Sequence, residues 1–337
     1  MEAIAKISGY YRWLLPALKA ALLLLLLAAL YWQVFARPDA DLLWRQWQQS
    51  LHLTRWPWLL TALALMPLNW AFETLKWRQF TRVFSRMSFR QAYRAVLAGV
   101  ALSLVTPQRL GEYGGRALLS PTGQRWQMVV ATLLGNFGQL IVLIAGGLGG
   151  FLWLAYNHLA WQTYLLYASA VGVAIVIIAL IFGFFQVQYV LPGIRAVVPV
   201  RIWKKLRRSL VLLRACPPRW RWSALGWATA RYLTYATQYW LMLLFLGIDL
   251  PPEAAFASIA TIFLIQTGIP LPLFGALLAR AEIALFVWGQ FDANELSILA
   301  ATFGLFIINL ALPALPGAIF IVKINKTKSS AYEKINA

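Results

Sequence analysis

Apolar residues run through this chain in blocks of about twenty, and the polar stretches between the blocks are mostly basic. A helix needs about 20 apolar residues to cross the hydrocarbon core of a bilayer. Residues 14–35, 56–72, 129–155, 164–185, 223–246 and 296–322 meet that requirement, predicting six full spans. Two further apolar stretches, 92–119 and 254–288, are broken near their middles. Pro107 and Gly111 break the first; Gly268, Pro270, Pro272 and Gly275 break the second.

The connections orient these elements. Residues 74–94 carry Lys76, Arg78, Arg82, Arg86, Arg90 and Arg94, and residues 186–221 carry nine Lys and Arg, with no acid in either. Residues 157–163 have no Lys or Arg, and residues 247–253 have only Asp249 and Glu253 as charges. Basic connections stay on the cytoplasmic side. Residues near Arg94 and Arg125 then share the inner face, so 92–119 enters and leaves from the cytoplasm. By the same reasoning 254–288 enters and leaves from outside.

The expected fold is therefore an all-α polytopic membrane protein: six spans plus two re-entrant hairpins that dip from opposite faces. Residues 1–156 and 157–325 repeat the order span, span, hairpin, span with inverted topology, and 326–337 form a cytoplasmic tail. Paired Pro/Gly-interrupted segments in such halves point to a binding site near the bilayer midplane. The alternative, in which each break is a kinked full span, gives eight crossings and also leaves both termini inside.

Composition sharpens the class. Of 337 residues 61% are hydrophobic and 12% charged, against about 25% charged in a soluble domain. The net charge of +19 would suit nucleic acid in a soluble protein; here it marks cytoplasmic loops in contact with anionic lipid headgroups. A single cysteine, Cys216, excludes an internal disulfide and a multi-cysteine metal site. His52 and His158 stand apart without acidic neighbours at ligand spacing, so no metal or cofactor is expected. With no Ser/His/Asp or Cys/His constellation and no nucleotide-binding loop, the chain is not expected to be an enzyme.

The chemistry concentrates at the breaks. Helix interruptions at membrane depth are tolerated where they are buried in protein or line a wet cavity. The run Pro107-Gln108-Arg109-Leu110-Gly111-Glu112-Tyr113-Gly114-Gly115-Arg116 would aim helix N-terminal amides and Arg109 at an anion. Glu112 and Arg116 are spaced for a helical ion pair. That pair either serves a ligand or only neutralises itself. Arg280 and Glu282 of the second break lie on different helix faces, placed to meet Glu112 or Arg116 or to rest in the outer interface. Arg231, with Thr234 and Gln238 on later turns, makes a polar stripe or snorkels. Asn136 and Gln139 suit interhelical bonding. The candidate ligand-binding residues are Arg109, Gly111, Glu112, Arg116, Arg231, Arg280 and Glu282, with Pro107, Pro270, Pro272 and Gly275 as structural breaks.

Pro107-x-x-Leu110-Gly111-Glu112 followed by Arg116 resembles the signature of the lysylphosphatidylglycerol synthase transmembrane region, the flippase-like part of those bacterial proteins. Ile269-Pro270-Leu271-Pro272 through Gly275 to Glu282 is similar to that family's second motif. The family commonly has glycine where this chain has Gln108, Arg109, Leu273 and Phe274. The resemblance implies movement of a polar or anionic phospholipid, or a lipid-linked carrier, between leaflets of a bacterial-type inner membrane. No aminoacylating domain is expected from these residues, so the synthase activity in the family's name is not carried over. Transport would run downhill or on ion coupling, with Glu112 and Glu282 as candidate proton carriers. A secondary transporter or channel for a small solute, or an accessory subunit of an envelope-lipid pathway, fits the same architecture. Homo-oligomerisation and an envelope-biosynthesis partner are left open.

Overall fold

The computed structural model describes residues 40–50, 52–106, 109–120, 123–158, 161–186, 195, 200, 203, 207, 216–267 and 273–323. The span expected at 14–35, the tail at 326–337, most of the basic loop, and Pro107, Pro270 and Pro272 lie outside the described residues. What is described is helical. A short amphipathic helix α1 (Ala40–Ser50) precedes α2 (Trp56–Thr81), α3 (Phe89–Val105), α4 (Gly111–Leu118) and α5 (Arg125–Asn157). Then come α6 (Thr163–Phe185), α7 (Pro218–Phe245), α8 (Pro252–Thr267), α9 (Leu273–Trp288) and α10 (Glu295–Lys323).

Among the described residues α5, α6 and α10 are long and apolar enough to cross a membrane. At 1.5 Å per residue even α6, with 23 residues, reaches about 35 Å. The spans expected at 56–72 and 223–246 are the helices α2 and α7, less apolar because they carry Glu73, Lys76, Arg78 and Arg231. One boundary differs in substance from expectation. The sequence pattern starts a loop at residue 74, but α2 continues to Thr81 and Lys76 is fully buried. Its charge does not end the helix because it finds partners inside the protein.

Contacts at the helix ends trace the path of the chain. Gln124 Nε2, just before α5, donates to Phe84 O, just after α2, at 3.1 Å. The α3–α4 segment therefore leaves at the end where it entered. Arg82 lies over Trp220 at the start of α7, and Arg94 over Phe320 near the end of α10, at this same end. At the other end Arg55 pairs with Asp249 at 3.1 Å, and His158 packs on Phe291 with ring centroids 5.3 Å apart. The α8–α9 segment begins three residues past Asp249 and finishes three before Phe291, so it enters and leaves there. The first end gathers Arg82, Arg86, Arg90, Arg94 and Arg221; the second gathers Asp249, Glu253, Asp292 and Glu295.

Local chemistry builds the first hairpin. Ser88 and Gln91 form a capping box that starts α3 three residues earlier than the apolar pattern suggests. Thr106 Oγ1 donates to Leu102 O and accepts from Gly111 N, closing the turn. The two arms then touch backbone to backbone. A methyl at Gly111 would stand 2.1 Å from Leu102 O, and one at Gly115 2.5 Å from Ala98 O, so only glycine fits. Two apolar cores flank the α2–α7 seam. One centres on Trp77, Phe80 and Met128, the other on Tyr239, Phe263 and Trp288.

A buried ion cluster beside the first hairpin

Glu73, on the buried face of α2, is the hub of the site. Its Oε2 meets Lys76 Nζ at 2.6 Å and Arg231 Nη1 of α7 at 2.8 Å. Its Oε1 accepts from Arg116 Nη2 of α4 at 2.9 Å. Arg116 also pairs with Glu112 one turn earlier on the same helix. Lys76 donates onward to Gln139 Oε1 of α5 at 3.2 Å, and Gln139 Nε2 donates to Ala228 O of α7. One carboxylate thus ties together α2, α4, α5 and α7.

The cluster is dry. Glu73, Lys76 and Arg116 are each at most 1% exposed. Charges withdrawn from water this way cost several kcal/mol apiece unless paired. Aromatic faces complete the lining: Arg116 lies 5.5 Å from the Trp77 ring centroid and Arg231 5.0 Å from that of Trp70. Rings so placed attract the guanidinium electrostatically. The balance is nevertheless incomplete. Among the described residues three cations face two carboxylates, and Arg116 Nε and Nη1 and Arg231 Nε are buried without hydrogen-bond partners. The site has one positive charge and several N–H groups to spare, which suits an oxyanion.

The sequence-predicted residues fall into three groups. Glu112, Arg116 and Arg231 come together in the cluster, with Gly111 buried beneath them as the hairpin contact. Arg231 therefore ends in an ion pair rather than snorkelling to the surface. Arg109 sits exposed at the hairpin tip with φ 57°, a left-handed conformation. Glycine would adopt this backbone without strain. Arg280 and Glu282 belong to neither arrangement. Arg280 Nη1 donates to Tyr235 OH at 3.0 Å, so the expected meeting with Glu112 or Arg116 does not occur among the described residues. Glu282 Oε1 is buried without a hydrogen bond, and Gly275 is buried within α9.

Asn136 and Gln139 make the interhelical bonds expected of them, Asn136 to Tyr113 OH at 3.3 Å. Glu73 and Lys76 escaped the sequence reading. Their signal was there: Asn69, Glu73 and Lys76 recur at helical spacing, and a window extended past residue 72 shows one polar stripe on α2.

The sequence model of the family described as lysylphosphatidylglycerol synthase TM region matches residues 39–317, so the chain belongs to that family. No curated protein and no solved structure matches it significantly.

Proposed function

We propose that this family member moves a polar or anionic phospholipid, or a lipid-linked carrier, between the leaflets of a bacterial-type inner membrane, and that it does so without covalent chemistry. The observation that carries the reading is the cluster itself: a largely buried set of charges with one cation in excess among the described residues, walled by tryptophans, where the first hairpin meets α2 and α7. Ionisable groups at membrane depth are functional candidates by default. Downhill movement of a headgroup past such a site leaves the acyl tails in the bilayer throughout.

The architecture proposed around it is two inverted repeats with both hairpins re-entrant. Matching contacts in the two halves support this. Glu73 and Trp77 lie four apart on α2, as Tyr235 and Tyr239 do on α7. Glu73 binds Arg116 of the first hairpin, and Tyr235 binds Arg280 of the second. Trp77 Nε1 donates to Thr132 of α5, and Tyr239 shares a hydrogen bond with Thr302 of α10. The basic end would face the cytoplasm and anionic headgroups.

Proteoliposomes with acyl-chain NBD-labelled phosphatidylglycerol test the function. Protein should expose inner-leaflet label to dithionite, and Arg116→Gln should abolish the effect. Uptake of a soluble anion without lipid exposure would replace the lipid by a solute. Glu112 as proton carrier is a separate claim: Glu112→Gln should slow translocation at equal expression, and an unchanged rate removes it.

A further inference from the structure

Arg116 is neutralised by carboxylates; its counterpart Arg280 is not. No carboxylate among the described residues pairs with Arg280, whose Nη1 meets the Tyr235 hydroxyl and whose Nε is buried and bare. Glu282 follows two residues later, about 200° around the helix, and makes no bond to it. A half-buried guanidinium with no carboxylate beside it is open to a counterion from a ligand.

Tyr235 lies one turn beyond Arg231 on α7, so their β-carbons stand about 5–6 Å apart. Arg231 gives Nη1 to Glu73 but keeps Nε bare, and 21% of its side chain is accessible. Tyr232, beside it, has a buried hydroxyl with no partner. Two arginines therefore flank one tyrosine. Arg231 is tied through Glu73 to the first hairpin, and Arg280 belongs to the second. The two hairpins enter from opposite ends of the molecule, and Tyr235 lies on the helix that touches both.

We infer that Arg231 and Arg280, with Tyr235 between them, form a clamp for a phosphate-ester oxyanion. Guanidinium groups offer planar N–H forks that match phosphate oxygens. Tyr235 holds the Arg280 fork in position, and the ligand supplies the negative charge that no described carboxylate gives Arg280. The inference rests on the lipid reading only for the source of the phosphate, since a soluble phosphate ester has the same chemistry.

Binding to the detergent-solubilised full chain tests it, using dihexanoyl phosphatidylglycerol, glycerol phosphate and dihexanoylglycerol as probes. The phosphatidylglycerol should bind, dihexanoylglycerol should not, and Arg231→Gln and Arg280→Gln should each weaken binding by about tenfold or more. Arg280→Lys should recover part of the loss. Tyr235→Phe, which keeps the ring, should weaken binding by roughly threefold. Should Arg231→Gln fail to fold, the Arg280 and Tyr235 variants carry the test alone. Wild-type affinity in both Arg280→Gln and Tyr235→Phe overturns the clamp, as does absence of phosphatidylglycerol and glycerol phosphate binding in the wild type. Glycerol phosphate binding as tightly as the lipid supports the clamp and sinks the lipid function.

Discussion

Arg116 on the first hairpin rests against Glu73 and Glu112 and over the Trp77 ring, whereas Arg280 on the second meets a tyrosine hydroxyl and no described carboxylate. Arg116 bonds a side chain of α2 and Arg280 bonds one of α7. The first arginine is locked: its charge is matched, and moving α4 away from α2 would break its buried ion pair with Glu73. The second is poised: its charge is unmatched, so a ligand gains what the fold leaves unused. A buried ion pair is a weak source of stability against a hydrophobic alternative, but removing one partner of an existing pair is severe. That asymmetry lets mutation tell a lock from a binding group.

The largest effect belongs to Glu73. Glu73→Gln keeps the shape and strands Lys76, Arg116 and Arg231 around a neutral amide. We expect a loss of about 3–5 kcal/mol, measured as the unfolding midpoint in detergent. Arg280→Gln removes an unmatched charge and should cost far less, or nothing. Equal losses in the two variants would erase the distinction between the hairpins.

Next in size is the packing of the first hairpin. Gly111→Ala places a methyl 2.1 Å from Leu102 O, where backbone must move, and should cost about 1–3 kcal/mol. Gly114, on the open side of the same helix, has nothing within 4 Å of an added methyl. Gly114→Ala should be neutral or slightly stabilising, through helix propensity alone. A comparable penalty at both positions would mean that the arms are not held by this contact.

How much of this was legible beforehand follows from what each signal depends on. The helical class, the two breaks and the sorting of charge between the molecule's ends are written in one dimension, because hydropathy and Lys/Arg bias are local properties. The pair Glu112–Arg116 was visible for the same reason, lying one turn apart. Glu73 was not, because its three partners come from α2, α4 and α7, separated by up to 158 residues along the chain. A carboxylate and a lysine at the end of an apolar run resemble a helix leaving the membrane. Only packing reveals that they turn inward. Arg280 stood out as a charge beside the second break, but nothing local places Tyr235 beside it.

Tyr235→Phe gives a smaller and more selective perturbation. It removes the hydroxyl that receives the Arg280 N–H and leaves the ring stacked on Phe263, centroids 5.1 Å apart. Loss of one hydrogen bond to a charged group that is only half-buried should cost about 1.5 kcal/mol. Stability should therefore fall only slightly, while phosphate-ester binding falls with it. A variant that lost several kcal/mol would make Tyr235 part of the scaffold and return Arg280 to the locked class.

The smallest expected change, and the one that opposes the others in sign, is at the tip of the first hairpin. Arg109 holds φ 57°, a conformation that costs a residue with a β-carbon roughly 1 kcal/mol. Glycine relieves that strain, so Arg109→Gly should raise the unfolding midpoint slightly. The side chain is exposed and makes no ion pair among the described residues, so no packing is lost to offset the gain. A stabilised variant with normal lipid translocation would confine anion binding to the interior arginines and leave the tip as a turn. A stabilised variant that translocates poorly would show that strain is kept at the tip for function, making Arg109 the first hairpin's counterpart to the open charge of Arg280.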